Sequence, residues 1–257
     1  MEFNKPIIKT EMLAKDIYLI RIQSDEIVAE AQPGQFVNVK CSIGMDAYLR
    51  RPISICRVNR KEKTFDLVYM NRGKGTGLLC GFCEGDVLDV MGPLGKGFTL
   101  PKQGEKVAVV GGGIGVFPLL FLLQSCVNVD KTAFVGFRSR EAIVLERDFR
   151  KETGHMVIST DDGSCGFSGL VTVPFTDWLN SERPDRVYAC GPMPMMKNVA
   201  ENCIAKGIFC EVSVEQRMGC GIGACLVCAC EVKDGESFDY AHVCKDGPVF
   251  PAQRLVF

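Results

Sequence analysis

From Ile7 to about Leu100 the apolar residues come in short runs broken by polar or glycine-containing turns: Ile17 to Ile22, Gln35 to Cys41, Ile53 to Val58, Thr64 to Tyr69 and Asp86 to Met91. Runs of this length between turn formers predict strands, and their succession without helix-length spacers predicts an antiparallel barrel. The charged, turn-rich segment PKQGEK, Pro101 to Lys106, reads as a linker. Beyond it the texture changes. Val107 to Val110 (VAVV), Thr132 to Gly136 (TAFVG), Met156 to Ser159 (MVIS) and Arg186 to Ala189 (RVYA) are apolar strands separated by helix-length segments, which predicts a parallel, doubly wound sheet. Past about Phe209 regular periodicity fades and glycine and cysteine dominate.

Composition narrows the picture. With 257 residues, 47% of them hydrophobic, the chain has apolar side chains enough for one large core or two ordinary ones. Lysine plus arginine number 30 against 31 aspartate plus glutamate, so no net charge draws the chain to nucleic acid or to an anionic membrane. Met1 to Met12 mixes Glu2, Lys5, Lys9 and Glu11 with isolated apolar residues, unlike a secretion signal. The longest apolar run, Ile114 to Leu123, contains a proline and falls short of the roughly 20 residues of a spanning helix. A cytoplasmic location is expected. There the 14 cysteines stay reduced rather than pairing as disulfides. Cys41, Cys56, Cys80, Cys83, Cys126, Cys165, Cys203 and Cys210 read as small buried hydrophobes. Cys80 and Cys83 have redox-motif spacing but no thioredoxin-like surroundings.

The remaining cysteines carry chemistry. Met218 to Cys230 reads MGCGIGACLVCAC, placing Cys220, Cys225 and Cys228 at C-x4-C-x2-C, with Cys244 after a further 15 residues. This is the plant-type [2Fe-2S] spacing, in which four thiolates converge on two irons from one loop and a return segment. Gly219, Gly221 and Gly223 let such a loop curl tightly. The competing reading is structural zinc, whose four-cysteine sites are more often built from two CxxC-like knuckles. Cys230 in place of Cys228 breaks the spacing, and His242 alone is a weak argument for a Rieske centre.

A second signal lies in VAVVGGGIGVFPLLFLL, Val107 to Leu123, which passes from an apolar strand through Gly111, Gly112, Gly113 and Gly115 into an apolar helix. Such a turn offers backbone N–H groups to a pyrophosphate, although Val116 departs from the G-x-G-x-x-G fingerprint. The plainer alternative is a glycine turn that only lets strand and helix pack closely. Cys190-Gly191-Pro192 follows the last apolar strand, at the carboxyl edge where doubly wound sheets bind ligands. Asp161 and Asp162 also follow a strand. Facing a ribose, either favours NAD over NADP; the alternative is an ordinary turn aspartate.

Arg51-Pro52-Ile53-Ser54, Gly73-Lys74-Gly75-Thr76-Gly77, Gly92-Pro93-Leu94-Gly95, the Gly111 loop and Cys190-Gly191-Pro192 occur in an order similar to that of the ferredoxin reductase superfamily. With EQRMGCGIGACLVC and VCKDGPVF, essentially the whole chain resembles the electron transfer subunits of bacterial dihydroorotate dehydrogenase B. The resemblance implies an all-β, FAD-binding barrel over residues 1–100, an α/β NAD-binding domain over 101–208 and a [2Fe-2S] domain over 209–257. It implies Arg51, beside Pro52, on the FAD pyrophosphate, Ser54 and the Ile53 backbone beside the flavin ring, and Val68, Tyr69 and Met70 lining it. Gly75 and Thr76 would meet the phosphates. Many relatives of this fold end in an aromatic that stacks on the flavin; here Phe257 follows a cluster domain instead.

A nicotinamide exchanges two electrons at once and a [2Fe-2S] cluster one, so the flavin is the converter between them. The three regions use up the length, which puts an oxidisable organic substrate on another chain. By resemblance that chain is an FMN-containing subunit converting dihydroorotate to orotate, in a heterotetramer of two copies of each. The alternatives are an NADH-dependent ferredoxin reductase, the reductase component of an oxygenase, or a non-enzymatic metal-binding or redox-sensing protein.

Overall fold

Six strands alternate inward and outward side chains and close on themselves. The computed structural model describes residues 3–42, 44, 46–235 and 237–257. In it β1 (Asn4–Ala14), β2 (Ile17–Gln23), β3 (Phe36–Val39), β4 (Arg51–Asn59), β5 (Thr64–Met70) and β6 (Val87–Leu94) form a closed antiparallel barrel in the order β1-β2-β5-β4-β3-β6. Two short helices, α1 (Asp25–Glu30) and α2 (Lys74–Leu79), connect them. The Ser24 hydroxyl caps α1 by accepting the Ile27 N–H at 3.2 Å. Inward-facing Val37, Val39, Ile53, Ile55, Phe65 and Leu67 fill the barrel core with the period of two that strands impose. All five expected strands are present. β1 escapes the sequence pattern because most of its residues are exposed, which leaves too little apolar alternation to read.

The second layer is a parallel sheet. β7 (Lys106–Gly112), β8 (Asp130–Phe137), β9 (His155–Thr160), β10 (Phe167–Ser168), β11 (Arg186–Cys190) and β12 (Phe209–Ser213) run parallel. A hairpin of β13 (Ala229–Asp234) and β14 (Ser237–His242) follows, and the chain then returns as β15 (Val249–Pro251), antiparallel to β12. The sheet order is β10-β9-β8-β7-β11-β12-β15. Thus the sheet runs past the boundary expected at 208. Residues 209–213 are one of its interior strands, paired to β11, and residues 214–248 are an excursion between two adjacent strands. The glycine and cysteine that follow β12 hid its apolar run.

Helix α3 (Val116–Ser125) joins the layers. Eight of its ten residues are buried, as expected of a helix that is apolar on every side. Leu119, Leu120, Leu122 and Leu123 belong to the core shared with the sheet, whereas Phe121 belongs to the barrel core. Helices α4 (Glu146–Glu152), α5 (Thr172–Ser181) and α6 (Met193–Ala205) complete the domain. Arg57 on β4 pairs with Asp148 on α4 at 2.9 Å, and Glu211 on β12 accepts both the N–H and the hydroxyl of Thr99 at 2.8 Å. These contacts tie the barrel and its linker to the sheet.

Candidate redox site

The strand order reverses at β7, with β8 on one side and β11 on the other, and a doubly wound sheet opens a ligand crevice at such a switch point. A cleft of about 840 Å³ lies there, bordered by Gly112, Gly113, Asp161, Gly191, Pro192 and Glu215 among others. The glycines of the turn divide the work. A Cβ on Gly111 would come within 2.9 Å of Val116, and one on Gly115 would come within about van der Waals collision of the Cys190 carbonyl, so those two permit close packing. Gly113, at φ +56° with open space around it, faces the cleft. Asp161 borders the cleft; Asp162 instead accepts the backbone N–H of Ser164 at 2.9 Å, the role of an ordinary turn aspartate.

A second cleft, of about 250 Å³, lies between the barrel and the sheet and shares Met70, Arg72, Ile114 and Glu215 with the first. Arg51, Pro52, Ile53, Ser54, Val68, Tyr69 and Thr76 border it from the barrel, and Cys190 and Met218 from the other side. Gly75 does not line it but leaves room for Arg51: a Cβ there would sit 2.6 Å from the Arg51 Nε. The Arg51 guanidinium donates to the Leu49 carbonyl at 2.6 Å, and among the described residues it has no carboxylate partner. That leaves a half-buried cation for an anionic group such as a pyrophosphate. The Thr76 hydroxyl accepts the backbone N–H groups of Arg72 and Gly73 at 2.9 and 3.2 Å, fixing the turn. Burial pushes the Cys190 thiol up to about 12, so it stays neutral beside the cleft.

Met218, in the wall of this cleft, leads directly into the cysteine loop. Cys228 and Cys244 are each 1% exposed, whereas Cys220 and Cys225 are half-buried. The Cys220 sulfur accepts the N–H of Ile222 at 3.5 Å and of Cys225 at 3.4 Å, and the Cys244 sulfur accepts the N–H of Gly223 at 3.1 Å. Slight burial opposes ionisation of Cys220, but these backbone donors and the Cys225 thiol outweigh it and lower the group to about 6. Burial and the thiol of Cys228 raise Cys244 to about 12, against the Gly223 N–H. Backbone N–H groups of the loop thus point at the sulfurs of Cys220 and Cys244. Among the described residues no three ligating side chains stand at the spacing of a bound ion. The donor set suits an iron-sulfur cluster, whose sulfurs take such hydrogen bonds.

The structure also places the residues of the alternative readings. Cys230 lies on β13 opposite Ala241, and the backbone N–H of His242 donates to Asp246 at 2.9 Å. Of the cysteines expected to be buried, Cys41, Cys56, Cys126, Cys203 and Cys210 are, but Cys80 and Cys165 are half-buried and Cys83 is exposed, because they sit in turns at the surface. Phe257 packs against the core beneath the cluster loop and does not line the barrel cleft. Arg72, Ile114, Glu215 and Met218 were not legible as cleft residues, since they meet only when β5, α3 and the end of β12 are brought together.

A closed barrel packed on a doubly wound sheet, with a shared cleft between them, is the ferredoxin reductase arrangement of a flavin- and nicotinamide-dependent oxidoreductase. Residues 215–256 match the model of the iron-sulfur cluster binding domain of dihydroorotate dehydrogenase B. A dihydroorotate dehydrogenase B (NAD(+)) electron transfer subunit from Desulforamulus reducens is 39% identical over 99% of this chain and 98% of its own. One from a Geobacillus species is 41% identical over 97% of this chain and 96% of its own. The chain belongs to this family of electron transfer subunits. In structure it is similar to the NADH-dependent reduced ferredoxin-NADP oxidoreductase studied for flavin-based electron bifurcation, with a TM-score of 0.86 and 27% identity over all of this chain and 90% of that one.

Proposed function

We propose that this chain carries electrons from a partner subunit that oxidises dihydroorotate to orotate, through a [2Fe-2S] cluster and FAD, to NAD⁺. The observation that carries the reading is continuity: the two clefts share four residues, and Met218 of the second stands two residues before Cys220. When bound, FAD supplies conversion between two-electron exchange with a nicotinamide and one-electron exchange with the cluster.

Arg51, with the space left by Gly75 and the turn fixed by Thr76, holds the FAD pyrophosphate. Pro52, Ile53, Ser54, Val68, Tyr69 and Met70 border the flavin ring, and Cys190 closes its far side. Gly112, Gly113, Gly191 and Pro192 receive NAD, with Gly111 and Gly115 packing behind them and Asp161 toward the ribose. Cys220, Cys225, Cys228 and Cys244 hold the cluster. In this division residues 1–100 bind FAD, 101–208 bind NAD, and 209–257 carry the cluster, with 209–213 doubling as a strand of the sheet.

Ile222, Leu226 and Val227 on the cysteine loop and Phe238 and Tyr240 on β14 are between 56% and 76% exposed. Such an apolar face beside the cluster supports docking of the partner, which we take to bear FMN and to assemble as two copies with two of this chain. We place the chain in the cytoplasm, where the loop cysteines stay reduced and available to a cluster; among the described residues no helix is long and apolar enough to cross a membrane.

The test is anaerobic purification with iron, sulfide and flavin analysis, then mixing with the FMN partner, dihydroorotate and NAD⁺. Two irons and one FAD per chain, with NADH formed only when both subunits are present, is the expected result. A chain that reduces ferredoxin or an oxygenase with NADH and gains nothing from the partner would overturn it.

A further inference from the structure

Strand β3 places its side chains on two sides. Val37 and Val39 belong to the barrel core, while Phe36 packs in the cluster of buried residues that contains Cys228 and Cys244. Asn38 also points away from the barrel interior, at the cysteine loop. A Cβ built on Gly221 would lie 2.4 Å from the Asn38 Nδ2 and 3.6 Å from Leu94, so the amide nitrogen sits against the backbone of the residue after Cys220. Gly221, at φ +76°, is the residue that admits this approach. Asn38 is 0% exposed, and neither its Nδ2 nor its Oδ1 has a hydrogen-bond partner among the described residues. A buried amide without a partner is destabilising, and an apolar side chain of the same shape would avoid that loss. An amide kept there, among Phe36 and Leu94, calls for an acceptor on the loop side.

We propose that Asn38 is a positioning residue for the cluster: its amide N–H donates to a sulfur of the [2Fe-2S] cluster on the Cys220 side and so raises the cluster's reduction potential. This rests on the reading that the cysteine loop holds that cluster. Reduction adds negative charge to a centre already held by four thiolates, so an N–H donated to sulfur stabilises the reduced form more than the oxidised one. The donor comes from the barrel, one strand from Arg51 and Pro52, since Asn38 pairs in register with Pro52. The strand that flanks the flavin cleft therefore also sets the electron affinity of the cluster.

No asparagine occurs in residues 209–257, which allows a test on the unaltered holoprotein. With asparagine alone labelled with the heavy nitrogen isotope, pulsed EPR of the reduced cluster should contain a coupling to that isotope. In Asn38→Leu the coupling should vanish and the cluster's reduced-to-oxidised ratio at fixed potential should fall about tenfold, equivalent to about 59 mV for one electron. Asn38→Asp, which keeps the shape and replaces the donor by an anion, should fall at least as far, with the flavin potential unchanged in both. A wild-type cluster at full iron and sulfide content without the coupling overturns the assignment, whether or not the variants fold. So does an unchanged potential in a variant with a full cluster. Wild-type protein lacking iron and sulfide would overturn the cluster reading itself, which the content analysis distinguishes.

Discussion

Gly115 stands where the nucleotide turn meets the end of β11, with no room between its Cα and the Cys190 carbonyl. Gly115→Ala forces these two elements apart, and overpacking of this kind costs about 1–3 kcal/mol. We expect a lower thermal midpoint and a higher KM for NADH, measured by calorimetry and steady-state reduction. Glu215 is exposed where the two clefts meet, yet protein surrounds its carboxyl closely enough that partial loss of solvent raises it above its ordinary value, with Arg72 pulling the other way. A carboxyl whose folded pKa exceeds its unfolded value binds its proton more tightly in the folded chain. Its contribution is fully present below the unfolded value and is lost as pH rises through the raised folded value. The thermal midpoint of the wild type relative to that of Glu215→Gln should therefore fall as pH rises through that window. The glycine run was legible as a strand-to-helix turn, but which of its glycines face the cleft was not. That depends on Cys190 and Pro192, far away in sequence.

Helix α3 reads plainly as apolar, and its burial on all sides follows from that. Its role as a wedge does not, because the sequence offers no sign that Phe121 joins the barrel core while its leucine neighbours join the core shared with the sheet. Phe121→Ala should leave a cavity on the barrel side and cost about 3–5 kcal/mol, measured by denaturant unfolding, with FAD released at lower denaturant than in the wild type. The strands of the barrel were legible wherever one face is buried and the other wet. β1 was not, since its exposed residues outnumber its buried ones. Nor was the membership of β12 and β15 in the central sheet: β15 has only three residues, and pairing between strands that flank a long excursion leaves no periodic trace.

In the whole molecule, the larger cleft and the cysteine loop meet the barrel cleft through different residues, the first through Met70, Arg72, Ile114 and Glu215 and the second through Met218, so the two halves of the proposed relay can be separated. Anaerobic removal of iron by a chelator should leave flavin bleaching by NADH intact and abolish electron transfer from the dihydroorotate-oxidising partner, which stopped-flow absorbance would resolve. Loss of both together would mean that the loop also supports the flavin cleft through Met218. The cysteine spacing made the iron-sulfur domain legible, since its candidate ligands lie close in the chain. The amide that faces it was not, because Asn38 reaches the loop only through the closure of the barrel.

The cysteine excursion leaves the sheet at the end of β12 and re-enters it at β15, two strands that are hydrogen-bonded neighbours. Anchored at both ends, the cluster unit is a closed loop rather than a swinging arm. That tether at both ends limits how far the loop can travel, so the partner is expected to dock on it. A cluster held there would keep its place relative to the barrel cleft, and traffic through the chain would be governed by docking and by electronic coupling rather than by a domain's diffusion through solvent.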